Sequence, residues 1–279
     1  MCVGMNAETN TAAAAGPIQS LRPFEPLDYG LYALTVFAWS VSWFGIALQV
    51  GVVSPEVNLV WRFTIATALM FGWVLLARRR LAFTFADHLR FVALGILMFS
   101  SNFIFFYYAA TYMVSGLLSV VFSLASIVNM LLSAVIAREP PSSRILVGGL
   151  AGFAGIALMF YPAVAEHGVS GATLTGLLFS VGGTLCFCAG NQVSAANQRR
   201  GLPIVSANAW GMLYGTMWST LFALILGKPF IIVPTVSYLG SLVFLAVIST
   251  VIAFAAYLTL LGRIGAARAG YSTVMFPVF

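Results

Sequence analysis

From residue 29 onward the chain alternates long apolar runs with short polar gaps. The runs fall at roughly 29–49, 57–77, 91–111, 114–136, 145–163, 172–194, 205–226, 237–260 and 266–279. The hydrocarbon core of a bilayer, about 30 Å thick, is crossed by about 20 helical residues at 1.5 Å each. Every run but the last is long enough to span it. The last, Ala266 to Phe279, stops without a polar flank, so helix 9 is expected to be cut short and a tenth helix to lie beyond this chain. Residues 1–27 hold Ala, Thr, Asn and Pro with scattered charge, too little apolar surface to order themselves. They have neither the basic nor the apolar region of a signal peptide and read as a disordered cytoplasmic tail.

The basic residues orient these spans. Arg78, Arg79, Arg80 and Arg90 follow run 2, Arg138 and Arg144 run 4, Arg199 and Arg200 run 6, and Arg263 and Arg268 run 8, while Arg22 lies in the tail. Loops rich in Lys and Arg stay on the cytoplasmic side. These gaps and the N-terminus are therefore expected inside. The gaps with Glu56, with Thr111 to Met113, with Glu166 and His167, and with Lys228 are expected outside. Localisation in the cytoplasmic membrane, multi-pass, follows.

Composition agrees: the chain is 61% apolar and 7% charged, with a mean hydropathy of +1.00, against roughly 25% charged residues in soluble domains. The net charge of +6 and pI of about 9.5 then belong to topology-setting loops, with no aromatic-basic stripe for nucleic acid. Cys2, Cys186 and Cys188 are odd in number, which argues against a disulfide framework. Cys186 and Cys188 diverge by about 200° on a helix and cannot share a metal. No cofactor is expected.

Runs 1 to 5 form one block, 28–163, and run 6 opens a second, 171–279, with the same order of features. An odd number of helices per block inserts the second block upside down, the plan of secondary transporters whose substrate sites lie near the midplane between the repeats. The fold class is thus an all-α polytopic membrane protein of two inverted five-helix repeats. Ten helices are expected, with about nine visible and the second repeat incomplete at its C-terminal end.

Particular residues carry a family resemblance across both blocks. They are Ala38-Trp39-Ser40 in helix 1, Trp61-Arg62-Phe63 opening helix 2, Arg138-Glu139-Pro140 after helix 4, and Gly148, Gly152 and Gly155 in helix 5. The second block adds Ser249-Thr250 through Ala253 and Tyr257, Gly265-Ala266-Ala267-Arg268-Ala269, and Phe276-Pro277-Val278-Phe279. In this order and spacing the sequence resembles the EamA-type branch of the drug/metabolite transporter superfamily. It departs at Leu124-Ala125-Ser126, where that family has a proline, and at Arg138, where it has a glycine. The resemblance implies a carrier that exports amino acids or related small polar metabolites by alternating access. Its alternatives are a drug or quaternary-ammonium exporter of the same superfamily, or a non-transporting membrane scaffold. The superfamily's small multidrug carriers use a Glu in helix 1, and helix 1 here has none.

Arg62 is the one charge well inside a run, about five residues from the outer end of helix 2 by the uncertainty of run boundaries. Intramembrane charge costs roughly 2.5–3.5 kcal/mol on insertion scales. Either Arg62 attracts a carboxylate or phosphate or braces a gate, or it snorkels to the outer headgroups beside Trp61. Trp39, Ser42 and Trp43 share a helix face at i, i+3 and i+4, suited to a wall that stacks on planar or cationic groups and equally to packing. Asn102, Asn129, Asn191 and Gln192 are amides inside apolar runs and need partners across helices or in a wet cavity. Tyr107 and Tyr214, with Tyr108 and Tyr257, can join a polar lining or serve packing. The candidate substrate-binding set is therefore Trp39, Ser42, Trp43, Arg62, Asn102, Tyr107, Asn129, Asn191, Gln192 and Tyr214.

The spacings Gly148-x-x-x-Gly152 and Gly211-x-x-x-Gly215 permit close helix contact. No Asp, Glu or His falls inside a run, so no carboxylate-based proton site is visible, and a facilitative exporter, or coupling by residues past Phe279, is expected. A membrane enzyme would need a nucleophile-base or metal constellation at membrane depth, whereas His88 and His167 fall in loops on opposite faces. Short loops and a small tail leave little for a scaffold to present. The expected partners are a small-molecule substrate and membrane lipid, with no nucleic acid, and a monomer is compatible with the plan.

Overall fold

The structure, a computed structural model, describes residues 23–138, 143–167 and 171–278. The expected tail up to residue 22, the turn after Arg138 and Phe279 lie outside the described residues. Helix α1 (Pro26–Ala47) starts on Pro26, with Glu25 and Asp28 capping each other's backbone, and α2 (Pro55–Leu76) starts on Pro55. Proline suits this position because its missing N–H would be unpaired there anyway. Helix α3 (Phe85–Ala109) begins well before the apolar run at 91, because the Thr84 side chain accepts from the Asp87 N–H while Asp87 reaches back to Thr84. This capping box corrects the assignment of His88 and Arg90 to a loop: both lie in α3.

The chain continues through α4 (Gly116–Ile136), α5 (Ser143–His167), α6 (Gly171–Arg199), α7 (Ile204–Ile225) and α8 (Val236–Ile264). The last element, α9, is α-helical only over Ala266–Gly270 and continues as a 3₁₀ helix over Tyr271–Val278. Arg138, which stands where the family pattern has glycine, ends α4 in the left-handed region at φ 54°, ψ 31°.

Among the described residues six helices, α1, α2, α3, α4, α6 and α8, are long and apolar enough to cross a membrane. Run length alone predicts eight. Helix α7 has the length, 22 residues, but spends its interior face on polar side chains: Ser206, Asn208 and Ser219 are all buried. The side chains turned outward are instead apolar, such as Phe37, Phe44, Leu178 and Leu224, the surface a lipid-facing bundle requires.

Helix α1 packs on α8, α2 on α7, α3 on α6 and α7, and α4 on both α6 and α9. Helix α8 in turn touches α2, and α1 touches α9. These pairs map onto one another when α1 is exchanged with α6, α2 with α7, α3 with α8 and α4 with α9, although the α6–α8 contact has no counterpart of similar extent between α1 and α3. The same exchange relates two π-helical stretches, Leu97–Ser101 in α3 and Leu245–Ile252 in α8. Such widened turns re-aim the residues beside them and recur at functional sites.

Helices α3 and α7 cross at glycines. A Cβ on Gly95 would stand 2.5 Å from the Gly211 carbonyl oxygen and 2.8 Å from the Gly215 nitrogen, while Gly211 and Gly215 are covered by Phe99. The Gly211-x-x-x-Gly215 spacing thus serves α3. Because the obstruction is backbone, Gly95→Ala forces the helices apart and is expected to cost about 1–3 kcal/mol by overpacking. Gly72→Ala, where nothing lies within 4 Å of the added carbon, is the control. Thermal unfolding in detergent should separate the two; equal midpoints would refute the close crossing.

Candidate functional site

A cavity of about 40 Å³ lies at the centre of the bundle. At roughly 10–15 Å³ per water it admits only a few waters. Helix α1 contributes Trp39, Ser42, Trp43 and Ile46, α2 contributes Arg62, and α3 contributes Asn102, Phe103 and Phe106. Phe122 of α4, Phe187 of α6, Phe254 of α8 and Phe276 of α9 close the wall.

Trp39 is the hub of the aromatic wall. Its ring meets Phe254 at 4.9 Å, Tyr257 at 4.8 Å, and Phe187 and Phe276 at 5.9 Å between centroids, mostly edge to face. Its indole N–H donates to the Ser249 carbonyl at 2.9 Å, in the π-helical stretch of α8. One turn on, Ser42 donates back to the Trp39 carbonyl at 2.6 Å, and Trp43 packs on Phe106 and Phe122. The Trp43 indole nitrogen is buried without a partner among the described residues.

Arg62 does not snorkel. It is 1% exposed, and its neighbour Trp61 takes the opposite direction, donating to the Ile231 carbonyl at 3.0 Å in the loop before α8. The Arg62 Nε donates to Thr250 Oγ1 at 2.8 Å, whose own proton goes to the Leu245 carbonyl at 2.8 Å. The guanidinium lies over the Phe103 ring at 4.5 Å, and its Nη1 is buried with no acceptor among the described residues. Asn102, which lines the same cavity, uses its Oδ1 to accept from the Phe103 N–H at 2.7 Å.

The remaining candidates stand elsewhere. Tyr107 does not line the cavity but stands beside Arg62, its hydroxyl against the guanidinium and donating to Gln49 Oε1 at 2.6 Å. Asn191 donates to Asn129 Oδ1 at 3.2 Å and to the Tyr257 hydroxyl at 2.9 Å. Gln192 reaches Ser133 Oγ at 3.1 Å. These amides tie α6 to α4 and α8, yet Asn129 Nδ2, Asn191 Oδ1 and Gln192 Oε1 are buried and unpaired. Tyr214 is remote from all of them, 2.9 Å from His88 Nδ1 and stacked on Trp210. None of these five lines the cavity.

Asp28 in α1, Glu56 in α2, and Asp87 with His88 in α3 overturn the expectation that the spans hold no Asp, Glu or His. Asp28 and Glu56 are each fully buried in the first turn of α1 and α2. Asp28 pairs with Arg263, and Glu56 accepts from the Tyr108 hydroxyl, leaving its Oε2 buried and unpaired. Both lie where helices begin before their apolar runs. Nothing in the sequence singles out the six cavity phenylalanines, since Phe in an apolar run carries no signal of which way it faces.

A bundle of apolar helices with a cavity lined from both halves of the chain fits the class of membrane transporters. Residues 29–161 match the EamA-like transporter family: this stretch is an EamA-like domain. The chain is also similar to a protein of Archaeoglobus fulgidus described as an uncharacterized transporter, 26% identical over 250 residues, covering 88% of this chain and 84% of the relative. A solved crystal structure matches with a TM-score of 0.72 at 19% identity, over 90% of this chain and 84% of that one. At that identity the likeness speaks for the fold alone, and it extends the fold match well past residue 161.

Proposed function

We propose that the protein is a secondary transporter of the cytoplasmic membrane, N-terminus inside, that exports a small polar metabolite of the amino-acid type. Two inverted repeats rock about the central cavity. The observation that carries this reading is the pair of bonds across that cavity, Trp39 to the Ser249 carbonyl and Arg62 to Thr250. Each joins the first half of the chain to the second at the cavity wall, so parting the halves opens the cavity and breaks both. The exchange of helix neighbours supports two repeats related by a two-fold axis, and five helices per repeat, an odd number, turn that axis into the membrane plane.

A quaternary-ammonium exporter would want a carboxylate at the wall, and the charge that lines this cavity is Arg62. The facilitative reading loses its ground with Glu56 buried inside α2. The test is an untargeted comparison of metabolites outside cells that do and do not overexpress the protein. A small set of accumulated polar compounds is expected; identical profiles, with the protein confirmed in the membrane, would return the scaffold reading.

A further inference from the structure

We infer that the cavity selects a substrate bearing a single carboxylate, free or as part of a zwitterion, and that Arg62 is the residue that binds it. This deepens the transport reading and rests on it. Three observations about the guanidinium converge. Its Nε is already committed to Thr250, and that hydroxyl has spent its proton on the Leu245 carbonyl, so the group is held in place and not free to swing. One face lies on Phe103. The Tyr107 hydroxyl lies against the guanidinium as well, and the Nη1 N–H groups remain, buried at the edge of a cavity and lacking an acceptor among the described residues.

A buried charged donor left unpaired is costly, and a carboxylate is the acceptor that a guanidinium edge fits best. Trp43, on the same wall, leaves its indole N–H equally unpaired and offers a second donor of the kind a carboxylate accepts. The nearby Glu56 does not fill this role. It belongs to Tyr108 and is not part of the cavity wall.

The count of charges narrows the class. One guanidinium balances one negative charge. A phosphate monoester carries nearly two at neutral pH, and the excess would be enclosed by phenylalanine rings, where an unpaired charge is penalised. A cation without a carboxylate would meet the guanidinium unscreened. A zwitterion satisfies Arg62 and can rest its ammonium on the Trp39 face, an interaction that aromatic rings supply without a fixed anion. The body of the substrate faces phenylalanines and is correspondingly apolar.

The test uses the full chain in liposomes and follows counterflow of a panel of L-amino acids and small monocarboxylates, each beside its primary amide, with L-leucine and L-leucinamide as one pair and 3-methylbutyl phosphate as the dianionic probe. At least one acid is expected to exchange about tenfold or more faster than its amide, a ratio worth one good charge-assisted bond, and the phosphate not at all. Arg62→Gln should bring that acid down to the amide's rate. Arg62→Lys, which keeps the charge and loses the fork, should retain part of the preference, and ligand-induced thermal stabilisation in detergent should follow the same order in both variants. Amides moving as fast as acids, preference for the phosphate, or an acid preference that survives in a folded Arg62→Gln would each overturn the inference while leaving transport intact. Exchange of no probe, with no stabilisation by any, would count against the transport reading and this one together.

Discussion

Trp39→Ala is expected to yield a protein that still inserts but is about 3 kcal/mol less stable and carries no measurable flux. The figure is the lower end of the cost of truncating a core aromatic, because in a bilayer the loosened state also keeps the indole among apolar groups, leaving mainly the lost packing. That packing is extensive: four rings from α6, α8 and α9 converge on the indole, and its N–H holds the Ser249 carbonyl. Function fails for a separate reason. Trp39 is the contact through which α1 reads the position of α8 across the cavity, so its loss uncouples the two halves even where the fold survives. Trp39→Phe separates the effects. It keeps a ring but leaves the Ser249 carbonyl without its donor, at about 1–3 kcal/mol for an unpaired buried acceptor, and should retain a reduced flux. Unfolding midpoints in detergent and counterflow in liposomes measure both. Full flux from Trp39→Ala would remove Trp39 from the mechanism.

The apolar runs locate the described helices to within a few residues, because spanning a bilayer leaves few alternatives to a long apolar helix. The exceptions have local causes. Thr84 and Asp87 start α3 early through a capping box that operates outside the apolar stretch; Asp28 sits in the first turn of α1 through its own capping box with Glu25, and Glu56 in that of α2 because Pro55 opens the helix. Arg62 is the instructive case. Periodicity places it near a helix end, where both an inward and an outward rotamer are open to so long a side chain. What decides between them is Thr250, a residue 188 positions away, held by a π-helical turn that no local pattern announces. The tryptophans of α1 and Asn102 could be picked from their own spacing. The phenylalanines opposite them could not, since in a lipid-facing bundle a Phe is as common outside as in. Tyr214 is a candidate by residue type alone, and its partner, His88, is hidden from sequence by the early start of α3.

Asp28→Ala is expected to cost about 3 kcal/mol, while Glu25→Ala costs less than about 1 kcal/mol, although both carboxylates hold the same guanidinium. Arg263, in the last turn of α8, donates through Nε to Asp28 at 2.5 Å and through Nη2 to Glu25 at 2.7 Å. Asp28 is fully buried and Glu25 is 56% exposed. An exposed pair trades solvent for a partner and gains little. A buried pair, once broken, strands a charge, typically at 3–5 kcal/mol. The low end applies because Arg263 is itself 26% exposed and can turn partly to water. The pair fastens the start of α1 to the end of α8 on the face carrying the arginine-rich gaps, so its rupture should loosen that face first. Asp28→Ala combined with Arg263→Ala removes both charges, and the double variant should be less destabilised than the two single costs added together, as expected for residues in direct contact. Thermal unfolding of the four proteins against the parent decides it. Equal losses from Asp28→Ala and Glu25→Ala, or strict additivity in the double variant, would mean that burial of Asp28 does not set the strength of this clamp.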